Sequence, residues 1–258
     1  MSDKWDFYIC NVNEKLSSIF LDLGIRPKAP DPNKPWLAWI WVYMKSPRED
    51  GLSESNESDL PGLHAIESAL IDKFPEKLKG VVAGRITTDG RKEFYYYVSS
   101  ADGIEESIHK YMKKFPKYKY DMGVKEDPHW TQYLELLYPS EEEMQKIKNR
   151  WVVDALAEKG DQLTTPRNVE HWIYFRTVTE RQRLIDAVLP LGFRITAESS
   201  DLKAGDEFPH RLQLIRSDPV DQDSIDEVTL ELFRFSKLFD ANYDGWETFV
   251  VKDDAKES

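Results

Sequence analysis

Twice along this chain the hydrophobic period changes in the same order, and that order constrains the fold more than any single motif does. In residues 36–124 the apolar run WLAWIWVYM is followed by a helical stripe of Leu63, Ile66, Leu70, Ile71 and Phe74. VVAGRITT and KEFYYYVSS then flank Asp89-Gly90, the strongest short-range hairpin signal a sequence offers. A second stripe, Ile104, Ile108, Tyr111, Met112 and Phe115, leads into the alternating KYKYDMGV. Asp102 with Glu105 has the spacing of a capping box, Pro75 and Gly80 are expected to close the first helical segment, and Pro116 the second. Residues 170–251 repeat the order. EHWIYF precedes a helix capped by Thr177 with Glu180 and carrying Leu184, Ile185, Val188 and Leu189; FRITAE, RLQLIR, a helix with Ile225, Val228, Leu232, Phe235 and Phe239, and WETFVV follow. Strand, helix, strand, strand, helix, strand is the split βαβ arrangement, in which two helices pack on one face of a four-stranded antiparallel sheet. The fold class expected is therefore α+β, with two ferredoxin-like (βαββαβ) antiparallel sandwich domains.

Three further segments frame the repeat. WDFYIC and SSIFLDLGI, separated by polar NVNEK, predict a β-hairpin ahead of the first domain. Asp127-Pro128 predicts the start of a short helix over PHWTQYLELLY. Ser140 with Glu143 predicts a capped helix carrying Met144, Ile147, Trp151 and Val152 and stopping at Gly160. This places one domain at residues 1–140 and a second, with a leading helix, at 141–258.

Composition excludes several function classes. The formal net charge of -12 divides evenly, 25 acids against 19 bases in residues 1–143 and 22 against 16 in 144–258. Such a balance disfavours nonspecific binding to phosphate backbones or anionic lipid. The one cysteine, Cys10, allows no intrachain disulfide and indicates a reducing compartment. No apolar run approaches the roughly 20 residues that span a bilayer, so the expectation is a cytoplasmic protein. His64, His109, His129, His171 and His210 are scattered singly, without the ligand spacing that zinc requires, and the glycines form no phosphate-binding loop. No catalytic residue, metal or cofactor is assigned, and an enzyme is not expected.

The stretch NYDGWETFVV poses the sharpest local question. Asp244-Gly245 is a turn dipeptide, yet the largest side chain follows it at once, at the start of the expected last strand. An indole there can close the end of the helix–sheet core while its N–H reaches a backbone carbonyl or water. LFRFSKLFDANYDGWETFV, with Tyr243, Asp244, Gly245 and Trp246, resembles the end of the RraB family of ribonuclease E inhibitors. KNRWVVDALAEKGDQL, NVEHWIYF, LGFRIT and the AGDEF turn fall in that family's order, so the resemblance covers about residues 144–251. It implies a ferredoxin-like domain that binds a ribonuclease E-type endoribonuclease and modulates RNA decay by protein contact, without catalysis. The first half, through VVAGRITTDGRKEFYYYV and DPHWTQYLELLYPS, resembles an uncharacterised bacterial domain-of-unknown-function family often fused upstream of RraB-like domains.

Two charged stretches remain. KYMKKFPKYKY, residues 110–120, combines lysines and aromatics as a single-strand nucleic-acid platform does. Both periodicities place its lysines on solvent positions, so a solvated basic edge is the simpler reading, with nucleic-acid binding as the alternative. A small-molecule or hydrolase site in the first half is a further alternative. DPVDQDSIDEVTLE carries six acids and no base. Helix N-terminal preference accounts for part of this; Asp221, Asp223, Asp226 and Glu227, together with Tyr243, Asp244, Gly245 and Trp246, are the candidate partner-binding residues.

Overall fold

The structure, a computed structural model, describes residues 4–201 and 206–252, and the chain divides into two compact units, Met1–Pro139 and Ser140–Ser258. The first is built on a six-stranded sheet of β1 (Trp5–Val12), β2 (Lys15–Asp22), β3 (Trp36–Tyr43), β4 (Val81–Thr88), β5 (Arg91–Val98) and β6 (Tyr120–Glu126), in the order β1-β2-β4-β5-β3-β6. Every neighbouring pair is antiparallel. The β1–β2 hairpin turns through Asn13 and Glu14, at φ 50° and 64°, and β4–β5 through Asp89 and Gly90, at 47° and 73°. Two successive left-handed residues give the turn whose twist matches that of the flanking strands.

One face of this sheet receives α1 (Leu60–Ser68), α2 (Phe74–Leu78) and α3 (Ile104–Met112). Ile40, Val42, Phe94 and Tyr96 of the strands pack there against Leu63, Ile66, Leu70, Phe74 and Ile108. The first helical segment ends just before Gly80, as expected, but Pro75 does not close it. A π-helical turn, Ala69–Lys73, joins α1 to α2, and the wider turn places Pro75 in the first turn of α2, where its missing N–H costs nothing. Nor does the Asp102–Glu105 capping box form. Gly103, at φ 70°, takes the N-cap of α3, while Asp102 exchanges hydrogen bonds with the Ser100 hydroxyl.

The opposite face carries the other parity of β5, and Trp130 stacks on Tyr97 with ring centroids 4.0 Å apart. Tyr133 Oη donates to the Asp22 carbonyl at 2.8 Å, and Tyr8 Oη to that of Leu137 at 3.1 Å. The short helix expected from Asp127 starts later, as a π-helical turn at Gln132–Leu137. Asp127 still caps it, accepting from the Thr131 and Gln132 amides at 2.9 and 3.1 Å and from Tyr97 Oη at 2.6 Å.

The second unit opens with α4 (Glu141–Glu158), whose Ser140–Glu143 capping box is formed. Then come β7 (Arg167–Phe175), α5 (Val178–Val188), β8 (Arg194–Ser200), β9 (His210–Asp218), α6 (Gln222–Leu238) and β10 (Ala241–Glu247). The four strands pair antiparallel in the order β10-β7-β9-β8. Thr177 and Asp221 cap α5 and α6 with their side chains. Ile173 and Phe175 of β7 meet Leu184 and Val188 of α5 and Val228 and Leu232 of α6. Part of the AGDEF turn, Ala204 and Gly205, lies outside the described residues. No helix among the described residues is long and apolar enough to cross a membrane.

Candidate functional site

The last strand starts five residues earlier than its sequence indicates. Asp240, at φ 48°, reverses the chain after α6, and β10 pairs with β7 from Ala241 onward. Asp244-Gly245 is not the turn but a β-bulge inside the strand: Tyr243 pairs with Ile173, Gly245 with Trp172, Trp246 with His171, and Asp244 is the extra residue. Strict alternation would send Tyr243 and Trp246, three apart, to opposite faces. The inserted residue brings both to the helix-facing side, where they are 6% and 8% exposed. Gly245 sits at φ 143°, a conformation that favours glycine.

Trp246 is held by a side chain that sequence periodicity does not single out. Its Nε1 donates to Asn149 Oδ1 at 3.0 Å, and that oxygen also accepts from Gln145 Nε2 at 2.9 Å. Asn149 Nδ2 donates to Asp226 Oδ1 and to Thr229 Oγ1, both at 2.6 Å. All four hydrogen-bonding positions of one fully buried amide are thereby used, joining α4, α6 and β10. Around it Val153, Leu156, Val169, Val220 and Ile225 enclose the indole. Trp151, expected on the inner stripe of α4, is instead 49% exposed; Gln145 and Asn149, spaced four apart, occupy the inner side.

Tyr243 meets a second buried polar group. Its hydroxyl lies 2.9 Å from His171 Nδ1, and His171 Nε2 is buried with no hydrogen-bond partner among the described residues. Burial, and secondarily the charge of Arg216, pushes this imidazole down to about 3. Neutral at any ordinary pH, His171 is a core residue. A third buried connection holds the segment that follows β10. Arg167 donates to both oxygens of Asp161 at 2.7 and 2.6 Å, and Asp161 Oδ2 accepts from the Val251 amide at 2.6 Å.

Of the eight candidate partner-binding residues, several are therefore committed internally. Tyr243 and Trp246 face the core, Asp226 holds Asn149, and Asp221 caps α6 through the Ser224 amide at 3.2 Å. Asp223, Glu227 and Asp244 are exposed. Glu227 and Glu231, one turn apart on α6, line a groove of 440 Å³ with Arg234, Phe235 and Leu238. Leu238 is 72% exposed, and Arg234 is engaged bidentately by Glu142 at 2.8 and 2.7 Å. On the other side of the sheet Trp172, Tyr174 and Arg211 border a groove of 320 Å³ with Asp244, Gly245 and Glu247.

In the first unit, the basic stretch at residues 110–120 does not present a row of free rings. Tyr111 is buried, Phe115, Tyr118 and Tyr120 pack against the core, and Lys114 Nζ lies 4.1 Å from the centre of the Tyr111 ring. The strand begins only at Tyr120, leaving Lys117 and Lys119 exposed in the preceding loop.

Comparison with known proteins gives the two units separate matches. The model of the family described as regulator of ribonuclease activity B (RraB) matches residues 146–248, from α4 through β10. No curated protein matches the chain. Among solved structures, an unknown protein from Galdieria sulphuraria is similar at 10% identity over 84% of this chain and 99% of that one, with a TM-score of 0.23. The model of the family of unknown function DUF695 matches residues 3–138, slightly more than half of the chain, and the protein therefore belongs to the DUF695 family and carries an RraB match in its second unit.

Proposed function

We propose that this protein is a non-enzymatic, RraB-like regulator of a ribonuclease E-type endoribonuclease, working in the cytoplasm by protein–protein contact. The observation that carries this reading is the RraB match across residues 146–248. The element order of the second unit supports it: β7, α5, β8, β9, α6, β10, with β7 and β9 central in the sheet, is the order of a ferredoxin-like domain. Domain boundaries at 1–140 and 141–258 follow on this reading, the first domain being ferredoxin-like through β3 to β6 with the β1–β2 hairpin added at its edge.

The α6 face is the contact surface we assign to the ribonuclease. Asp223 and Glu227 are exposed there, Glu231 extends their row, and Leu238 supplies an apolar anchor at its end. Acidic groups around an exposed leucine suit a basic partner segment, and the charges would act chiefly on association rate. The test is association of the full-length protein with a ribonuclease E-type enzyme from the same cell. Asp223→Lys with Glu227→Lys should slow association about 10-fold at low salt and flatten its salt dependence. Wild-type kinetics in that variant would remove the α6 surface, and no association of the wild-type protein would remove the regulator.

A further inference from the structure

The outer face of the four-stranded sheet carries a set of groups that the core does not use. Glu170, Trp172 and Tyr174 of β7, Arg211 and Gln213 of β9, and Asp244 and Glu247 of β10 alternate with inward residues and so point away from the helices. Trp172 pairs directly with Gly245. A Cβ at Gly245 would meet nothing within 4 Å, so the bulge leaves open space beside the indole.

The charges around that opening are unbalanced. Glu247 stands in register opposite Glu170, an arrangement that is unfavourable between like charges on adjacent strands. Gln213 satisfies Glu170 by donating its amide to it, and takes a 3.1 Å hydrogen bond from Arg211 Nη2 in return. Asp244 and Glu247 have no hydrogen bond or ion pair through their carboxylates among the described residues. Three carboxylates thus surround two half-buried aromatic rings with Arg211 as the one cation of the set.

That combination selects among ligands. A nucleotide chain could stack its bases on Trp172 and Tyr174, but its phosphates would meet a net negative rim. A guanidinium satisfies both features: it is planar and weakly hydrated, stacks on an indole, and presents a fork of donors that matches a carboxylate. We propose that the outer face of β7, β9 and β10 receives an arginine side chain of a partner protein, stacked over Trp172 and held by Glu247 and Asp244. This rests on the reading that the second unit acts by binding a protein, though not on the identity of that protein or on the α6 surface.

The experiment uses the full-length protein with a short glycine–serine peptide bearing two arginines, the same peptide with citrulline in their place, and a single-stranded oligoadenylate. Binding is followed through the Trp172 indole resonance. The arginine peptide should shift that resonance, and citrulline should weaken the affinity about 10-fold or more. Glu247→Gln, at an exposed position away from the core, should weaken it similarly with the fold unchanged; Trp172→Leu, followed by calorimetry, should lose the binding heat. Equal binding of both peptides, or oligoadenylate binding that Glu247→Gln strengthens, would overturn the assignment. Asp223→Lys with Glu227→Lys on α6 separates this surface from the other: slower association with the ribonuclease and unchanged affinity for the arginine peptide uphold both.

Discussion

Acid should loosen the second unit through one residue. His171 is fully buried between Phe193 and Tyr243, and its folded imidazole titrates near 3 against 6.5 for an ordinary histidine. A group whose folded pKa is depressed in this way binds its proton more readily in the unfolded chain. Stability is therefore whole above the unfolded value and declines as pH falls from 6.5 towards 3. At about pH 5 the unfolded form is favoured by roughly 1.5 pK units, or about 2 kcal/mol relative to pH 8. His171→Phe removes the titration while keeping an aromatic ring against Phe193. It leaves the Tyr243 hydroxyl without its partner, so the variant is less stable at every pH. The informative quantity is the slope: between pH 8 and pH 5 wild type should lose about 2 kcal/mol more than the variant. Amide exchange of the β7 residues Ile173 and Phe175, corrected for intrinsic rates, reports opening of this unit without interference from the first. An imidazole resonance of His171 that titrates near the ordinary value, or identical slopes in the two proteins, would refute the argument.

Three further perturbations test the supports of β10. Asn149→Leu keeps the branching of the side chain but leaves the Trp246 and Gln145 donors without an acceptor, and should cost about 3 kcal/mol in urea unfolding; combined with Trp246→Phe the losses should be less than additive, by about 1 kcal/mol. Arg167→Met strands the buried Asp161 carboxylate and should cost about 3–5 kcal/mol, little affected by salt, with faster amide exchange at Val251, which Asp161 holds. Deleting Asp244 removes the extra residue of the bulge and sets Tyr243 and Trp246 on opposite faces; a loss of about 3 kcal/mol or more is expected, with red-shifted indole emission as Trp246 reaches solvent.

What the sequence made legible was local chemistry that nothing distant opposes. Asp89-Gly90, the Ser140–Glu143 capping box and the Thr177 cap all form, because each is completed within a few residues. The failures have separate causes. Asp102 and Glu105 have capping-box spacing, but Gly103 between them adopts a left-handed conformation and becomes the cap itself. Pro75 reads as a stop until a π-helical turn reseats it. Asn149 looks like a solvent residue on α4, since only the fold brings Trp246, Asp226 and Thr229 around its amide. Its one sequence signal is Gln145 four residues before it, a polar pair on the face shared with Val153 and Leu156.

The Tyr-Asp-Gly-Trp stretch shows how four successive residues serve both faces of a sheet. A regular strand would give two to each side by alternation, and a tyrosine and a tryptophan three apart could not both enter the core. The extra residue changes that assignment: Tyr243 and Trp246 go inward to His171 and Asn149, while Asp244 and Gly245 stay on the outer surface beside Trp172. Stability is then carried by the first and last members of this short segment and surface chemistry by the two between them. Substitution of the inner pair should be read out as unfolding, and substitution of Asp244 as a change in what the outer face attracts. A partner that grips this strand therefore meets the carboxylate and the gap beside it, with the two rings that fix their position hidden beneath.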